Sequence, residues 1–127
     1  MGFSITSSGS FANTQKFLAA LSNKSYILGV LNHYGQVGVA ALSAATPIKS
    51  GRAAASWYYK SGYSRGVYFI DWYNSDIEDG YSVVIGLQYG HGTKNGGFVQ
   101  GHDFINPAMR PIFDEIENEV WKAVTSA

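Results

Sequence analysis

The residues best suited to acid–base or metal chemistry stand at the two ends of a glycine-rich stretch. His91 lies near its start, and His102 and Asp103 follow its end. If the two ends meet, these imidazoles and the carboxylate could form a small metal site or an acid–base pair. No HExxH spacing supports such a site, and isolated loop histidines are mostly solvated or hydrogen-bonded. We therefore expect no catalytic residue, metal or cofactor. A small hydrolase or metal-binding domain using these side chains is kept as an alternative.

The glycines of this stretch do not match a nucleotide-binding motif. Gly90-His91-Gly92 lacks the third glycine of a dinucleotide-binding loop at position 95. Gly92 to Gly97 is followed by Phe98 rather than by the lysine of a P-loop. Five glycines among the twelve residues from Gly90 to Gly101 instead predict a loop with little structure of its own.

Composition excludes several further classes of function. The 127 residues include nine basic side chains, nine acidic ones and no cysteine. The lack of cysteine excludes disulfides, thiolate nucleophiles and cysteine-bound zinc. A net charge of zero argues against binding nucleic acid through bulk phosphate attraction. The length predicts one domain, residues 1–127. Met1 to Ser10 lacks signal-peptide character, so we expect no export. Polar residues interrupt the apolar stretch from Tyr26 to Ala45, so we expect no membrane partner.

Aromatic side chains are unusually abundant for a chain with so few charges. They make up 15% of the residues, and charged side chains only 14%, whereas soluble domains usually have roughly 25% charged residues. Many of the rings fall on predicted strands: Trp57, Tyr58, Tyr59, Tyr63, Tyr68, Trp72 and Tyr73. Burial inside one monomer and burial against a second copy are both open. A carbohydrate-binding module that stacks sugars on these rings is a further alternative.

Hydrophobic periodicity predicts helices in the first third of the chain. A short strand is expected at Phe3 to Thr6 and a helix from Phe11 to Leu21. A second helix runs from Ile27 to Ala45, and Thr46-Pro47 ends it because proline cannot donate to the preceding turn. Three glycines on this helix, at positions 29, 35 and 38, indicate either a break near Gly35 or another backbone packed close against it. We favour close packing.

The remainder of the chain predicts strands followed by a long helix. The predicted strands are Ala55 to Lys60, Arg65 to Tyr73 and Tyr81 to Tyr89. The middle strand is apolar on both faces, so both faces should be covered.

The last helix carries an apolar stripe from Ile105 to Val124. Asn106 is its predicted cap, Pro107 its first residue, and Pro111 a kink or restart. Acidic residues from Asp114 to Glu119 fit a solvated outer face, with a docking surface for a basic partner as the alternative. The predicted fold is α+β: a twisted antiparallel sheet of three to four strands packed against two or three helices, with a long C-terminal helix.

Two short motifs resemble signatures of the tail-component family of long-tailed bacteriophages. The first is Ala45-Thr46-Pro47-Ile48-Lys49-Ser50-Gly51-Arg52, followed by Ser56 at a strand start. It resembles the family's Thr-Pro-x-x-Thr/Ser-Gly turn. The second is Tyr89-Gly90-His91-Gly92-Thr93, followed after a loop by Asp103-Phe104-Ile105-Asn106-Pro107-Ala108. It resembles a Tyr-Gly-x-Gly-Thr strand end and an aromatic-apolar-x-Pro-Ala helix start. The resemblance covers nearly the whole chain, although the loop is longer than in the simplest members.

The resemblance implies a virion structural protein of the neck. Such tail-completion or tail-terminator subunits assemble in the host cytoplasm into a homo-oligomeric ring, with sixfold symmetry expected, at the head–tail junction. The implied partners are copies of the same chain and the neighbouring head-connector and tail-tube proteins. Genomic DNA in the channel is a further candidate partner, with Lys49, Arg52 and Lys94 as the residues that could face it.

A ring has heterologous contacts, so aromatic strands and a flexible arm suit it better than a catalytic pocket. We expect Thr46, Pro47 and Gly51 to form a structural turn, and Phe104, Asn106 and Pro107 to start the last helix. We expect these side chains to form the subunit interface: Trp57, Tyr59, Tyr68, Trp72, Phe98 and Val99.

Overall fold

The described part of the chain combines one three-stranded sheet with two long helices, one short helix and two small hairpins. The computed structural model describes residues 2–6, 24–47, 51–93 and 95–125, with side chains described from 24 to 123 within these ranges. The first elements are β1 (Gly2–Thr6), α1 (Lys24–Ala45), a 3₁₀ turn (Ala54–Ser56), β2 (Trp57–Ser64) and β3 (Val67–Asn74). The following elements are β4 (Ile77–Glu78), β5 (Tyr81–Ser82), α2 (Val83–Tyr89), β6 (Gly90–Gly92), β7 (Phe98–Gln100) and α3 (Ile105–Thr125). The predicted α+β class, the antiparallel sheet and the long C-terminal helix are confirmed. The helix predicted from Phe11 to Leu21 lies outside the described residues.

The main sheet is antiparallel, with β3 between β1 and β2. Arg65 and Gly66 connect β2 to β3, with φ of 53° and 81°, as expected for a two-residue hairpin turn that needs positive φ at both positions. The first strand was predicted to end at Lys60, but β2 continues through Ser61 and Gly62 to Ser64. Gly62 pairs with Phe69, and the space left by its missing side chain accommodates the Phe69 ring.

The core lies between the sheet and the helices. Tyr68, Ile70 and Trp72 project from one face of β3 and are buried, whereas the residues that alternate with them are half-buried. Helix α1 packs against β2, β3 and α3. Most of the large aromatic rings of the sheet therefore lie on a single face.

The glycines of α1 allow this close contact. The helix is unbroken, so no break occurs near Gly35. The predicted approach of another backbone is corrected, because side chains pack against Gly35 and Gly38 instead. A Cβ on Gly35 would collide with the Tyr59 ring, and one on Gly38 would stand 2.5 Å from Trp72 Nε1. Gly29 faces open space.

The segment from Tyr81 to Tyr89 forms a helix, which corrects the predicted strand. Only Tyr81 and Ser82 are extended, and α2 occupies the remainder. Val84 and Gln88 are the buried residues of α2, four positions apart on one helical face. Apolar residues occupy every odd position of this segment, and Ser82, Gly86 and Gln88 lie between them, so the pattern fits the strand period and periodicity did not reveal the helix.

The segment from Gly90 to Gly101 also differs from its prediction. It forms an antiparallel hairpin rather than a loop without structure, and Gly90 pairs with Gln100. Gly90 has φ of 91°, and the Phe98 ring and the Val99 carbonyl lie where a Cβ would be. Gly101 lies directly against the backbone of Tyr89 and Gly90. Glycine is therefore required at both ends of this hairpin by close backbone contact. We refer to residues Gly90–Gln100 as the hairpin.

Helix α3 begins differently from the prediction. The cap is Asp103 rather than Asn106, because Asp103 Oδ1 accepts a hydrogen bond from the Asn106 backbone N–H at 3.2 Å. Pro107 lies within the first turn rather than at the first position. Pro111 lies inside one continuous helix, so the predicted restart at this residue is wrong.

The predicted turn after α1 is held at its start by Thr46. The Thr46 hydroxyl donates to the Leu42 carbonyl at 2.6 Å and accepts a hydrogen bond from Trp57 Nε1 at 2.8 Å. Thr46 is buried and Pro47 exposed, and Gly51 has φ of 80°. Residues 48–50 lie outside the described part of the chain.

Replacing Gly38 with alanine should destabilise the fold by about 1–3 kcal/mol, because the new methyl group displaces the Trp72 indole from a packed core. Gly29→Ala on the same helix is the matched control, and it should stabilise the protein by about 0.5–1 kcal/mol. Urea unfolding followed by circular dichroism measures both. Equal effects of the two substitutions would contradict the role assigned to Gly38.

Replacing Thr46 with valine should cost about 1–3 kcal/mol, because the buried Trp57 indole N–H loses this acceptor. Thr46→Ser keeps the hydroxyl and should cost markedly less. Thermal or urea unfolding of both variants provides the comparison. If the serine variant is as unstable as the valine variant, the hydrogen bond is not the source of the effect.

Candidate functional site

Most of the aromatic residues predicted to form the subunit interface belong to the monomer core. Trp57 is 7% exposed, Tyr68 4% and Trp72 0%. Burial raises the pKa of the Tyr68 phenol, as expected for a ring in the core. Tyr59 is half-buried, and its hydroxyl donates a hydrogen bond to Asn32 on α1. The predicted role of Trp57, Tyr68 and Trp72 in subunit contacts is therefore corrected. Close approach of α1 lets one monomer bury these rings.

The exposed apolar side chains lie elsewhere, in a short part of the chain. Among the described residues, eight large hydrophobic side chains are exposed, and five of them fall between positions 77 and 99. The five are Ile77, Tyr81, Tyr89, Phe98 and Val99. Phe98 and Val99 are the two predicted interface residues that remain available for contact. We call these five side chains the 77–99 surface.

The 77–99 surface is carried by α2 and the hairpins on either side of it. Helix α2 contacts β5 and β6 and is attached to the core by Val84, which is 1% exposed. Phe98 is 66% exposed, although its ring lies over Gly90. Tyr89, which precedes Gly90 in the chain, is 70% exposed. Ile77 lies on β4 and Tyr81 on β5. These two strands form a hairpin in which Glu78 pairs with Tyr81. A short helix with two buried residues, Val84 and Gln88, therefore supports the β4–β5 and β6–β7 hairpins, which carry exposed apolar side chains.

Gln88 joins α2 to the start of α3. Its Oε1 accepts hydrogen bonds from the backbone N–H groups of Phe104 and Ile105, at 3.0 and 3.1 Å. Its Nε2 donates to Asp103 Oδ1 at 2.6 Å. One buried amide thus satisfies free N–H groups at the helix start. Gln88 was not among the residues predicted to be functional, and its position between apolar residues was the available signal.

The three residues considered for acid–base or metal chemistry have different surroundings. The Asp103 carboxylate is occupied by its bonds to Gln88 and Asn106. The hydrogen bond from Gln88 is the main cause that lowers the pKa of Asp103 below its ordinary value, and the bonds from Asn106 add to it. Both histidine side chains are exposed. Within the described ranges, no group of three or more histidine, aspartate or glutamate residues could hold a metal ion.

Of the basic residues considered for DNA contact, Arg52 has a partner in the chain. Its Nε lies 3.4 Å from Oδ1 of the buried Asp76. The Asp76 backbone N–H donates to Asn74 Oδ1, and Asn74 Nδ2 donates to the Ala53 carbonyl. Arg52 therefore contributes to the attachment of the 51–56 segment to β3. Lys49 and Lys94 lie outside the described residues.

None of the described helices combines the length and the apolar character needed to cross a membrane.

Comparison with known proteins gives no relative from which a function could be transferred. No family model, curated protein or solved structure matches this chain.

Asp103→Asn should remove part of the acid sensitivity of the fold. The folded-state pKa of Asp103 is lowered, so near this pKa the unfolded chain binds more protons than the folded one, and stability increases with pH. This contribution is complete above the ordinary carboxyl pKa of about 3.9 and is lost as the pH falls through the lowered value. Asparagine keeps an oxygen acceptor without the charge. The urea midpoints of the two proteins should therefore differ at neutral pH and converge in acid. A difference of equal size at both pH values would show that the charge is not responsible.

Proposed function

We propose that this chain is a structural subunit of a bacteriophage particle that assembles with copies of itself into a ring at the head–tail junction. In this role it acts as a tail-completion or tail-terminator protein with sixfold symmetry, assembled in the host cytoplasm. The observation that carries the proposal is the 77–99 surface, where five large apolar side chains remain exposed on one chain.

The amount of exposed surface supports self-association. With side-chain areas of about 150–250 Å² for aromatic residues, the five side chains together expose roughly 600 Å². One partner in a standard interface buries about 800 Å². The 77–99 surface is therefore large enough to supply the apolar centre of an interface.

The placement of the second motif supports the same role. Its two halves, Tyr89 to Thr93 and Asp103 to Ala108, meet at the base of the hairpin, where Gly101 contacts Gly90 and Gln88 bonds to the start of α3. Tyr89 ends a helix in this chain rather than a strand. The motif residues thus hold the hairpin, and with it Phe98 and Val99, in a defined position.

The alternatives have weaker support. The sugar-stacking alternative needs accessible rings on the strands. Trp57, Tyr68 and Trp72 are buried, which leaves Tyr58, 43% exposed and stacked on Tyr73, as the accessible ring. The hydrolase or metal alternative needs a free carboxylate, and that of Asp103 caps α3 and binds Gln88. Contacts with head-connector proteins, tail-tube proteins and DNA remain part of the proposal.

The proposal predicts that the purified chain forms closed rings. Native mass measurement should give an integer multiple of 13.8 kDa, and electron microscopy should show a central channel. The double variant Phe98→Ser, Val99→Ser should shift the mass to that of the monomer without changing the circular dichroism spectrum. Gln36→Ala, at an exposed position of α1, is the control and should assemble normally.

Two results would contradict the proposal. The first is a monomeric wild-type chain at every concentration, together with its absence as a ring from assembled particles. The second is gold-labelled antibody binding to tailed particles at a position other than the head–tail junction.

A further inference from the structure

We propose that Arg52 is a positioning residue for self-association. Its ion pair with the buried Asp76 fixes the β4–β5 hairpin, and with it Ile77 and Tyr81, in the arrangement that a second copy binds. This inference rests on the proposed self-association and assigns to Arg52, the last residue of the first motif, a role in forming the 77–99 surface.

The ion pair joins an exposed cation to a buried anion. Arg52 Nε lies 3.4 Å from Asp76 Oδ1, and the two side chains are 65% and 3% exposed. Within the described residues, Asp76 Oδ1 is buried and accepts no hydrogen bond. A buried carboxylate oxygen without such a bond is costly unless a cation lies close to it. The position of Asp76 therefore depends on the Arg52 guanidinium.

Asp76 forms the base of the β4–β5 hairpin. Its backbone carbonyl accepts a hydrogen bond from the Val83 N–H at 3.1 Å, and these two residues flank the hairpin on either side. The next pair along the hairpin is Ile77 with Ser82. Ile77 is 52% exposed and Tyr81 78%. A displacement of Asp76 thus moves two exposed apolar side chains of the 77–99 surface.

The chain segment that carries Arg52 is itself fixed to the end of β3. The Ser75 backbone N–H donates to the Ser56 carbonyl at 3.1 Å, and Asn74 Nδ2 donates to the Ala53 carbonyl at 2.8 Å. The Ser56 hydroxyl donates to the Arg52 carbonyl at 2.6 Å. The Arg52 side chain therefore projects from a segment with several fixed contacts, so its guanidinium can hold Asp76 in place.

Fixing the β4–β5 hairpin in advance favours association. The hairpin has two residue pairs, and a two-stranded hairpin by itself is marginally stable in water. A hairpin that is not held would have to become ordered when a second copy binds, and this ordering would reduce the affinity. The ion pair orders it before the second copy binds. Arg52 thus contributes to affinity without contacting the partner.

Removing the cation tests this role. Arg52→Gln should weaken association by roughly tenfold, because the Asp76 charge stays buried without its partner and the hairpin is released. Native mass measurement over a dilution series gives the association constant. Arg65→Gln is the matched control and should associate like wild type, because Arg65 lies in the β2–β3 turn, at the opposite end of β3 from Asn74.

Substitution of Asp76 tests the same pair from the other side. Asp76→Asn removes the ion pair without leaving a buried charge, so it also decides the question if Arg52→Gln proves to be poorly folded. Asp76→Asn should weaken association several-fold. The double variant Arg52→Gln, Asp76→Asn should lose no more affinity than Arg52→Gln alone, because both substitutions act through one interaction.

Local hydrogen exchange separates positioning of the hairpin from general destabilisation. Exchange is measured at a protein concentration at which the chain is monomeric. In Arg52→Gln the Val83 amide, which donates to the Asp76 carbonyl, should exchange faster than in wild type. The amides of β2 and β3 should exchange as in wild type, because the main sheet does not depend on the ion pair.

The outcomes separate this inference from the proposed function. If wild type assembles, and Arg52→Gln and Asp76→Asn assemble equally well, Arg52 does not position the surface, and self-association still stands. If only one of the two substitutions weakens association, or if their losses add in the double variant, the ion pair is not the cause. Weaker association without faster exchange at Val83 would also overturn the positioning role. If wild type does not assemble at all, the proposed function fails and this inference fails with it.

Discussion

The contact between Trp72 and the glycine face of α1 determines how the remainder of the molecule packs. Trp72 Nε1 donates a hydrogen bond to the Gly35 carbonyl at 3.0 Å, and the indole occupies the space where a Gly38 side chain would be. The same indole lies 6.1 Å from the Phe113 ring on α3, measured between centroids. One side chain thus connects the central strand to both long helices. This connection requires small residues on α1, since any Cβ at position 38 would displace the ring.

This packing decides which apolar residues are left for function. Because α1 approaches the sheet closely, rings from β2 and β3 are buried within one chain. The exposed apolar side chains are concentrated instead on the hairpins around α2, which Val84 and Gln88 hold against the core and the start of α3. The candidate interface is therefore formed by short elements with few internal contacts. Such elements can present side chains to a partner without disturbing the main sheet.

Local chemistry explains what could be predicted from the sequence. The glycine spacing on α1 predicted close packing, because a missing side chain leaves room for a neighbour. Thr46-Pro47 predicted the helix end, because proline cannot donate a hydrogen bond to the preceding turn. The direction in which aromatic side chains point could not be predicted, because β3 is apolar on both faces and only tertiary packing selects the buried one. For α2, the apolar residues also fit the period of a strand, so the helix could not be recognised from the sequence. The cap of α3 was assigned to Asn106 because a proline follows it. Asp103 caps the helix instead, and the sequence does not show that Gln88 supports this aspartate from another element.

Hydrogen–deuterium exchange of the full chain at low and high protein concentration tests the central claim most directly, because it locates the surface that association covers. The account predicts that concentration increases protection in residues 77–82 and 89–100, whereas β2 and β3 are equally protected at both concentrations. Protection that increases in β2 and β3 instead, or that does not depend on concentration anywhere in the chain, would contradict it.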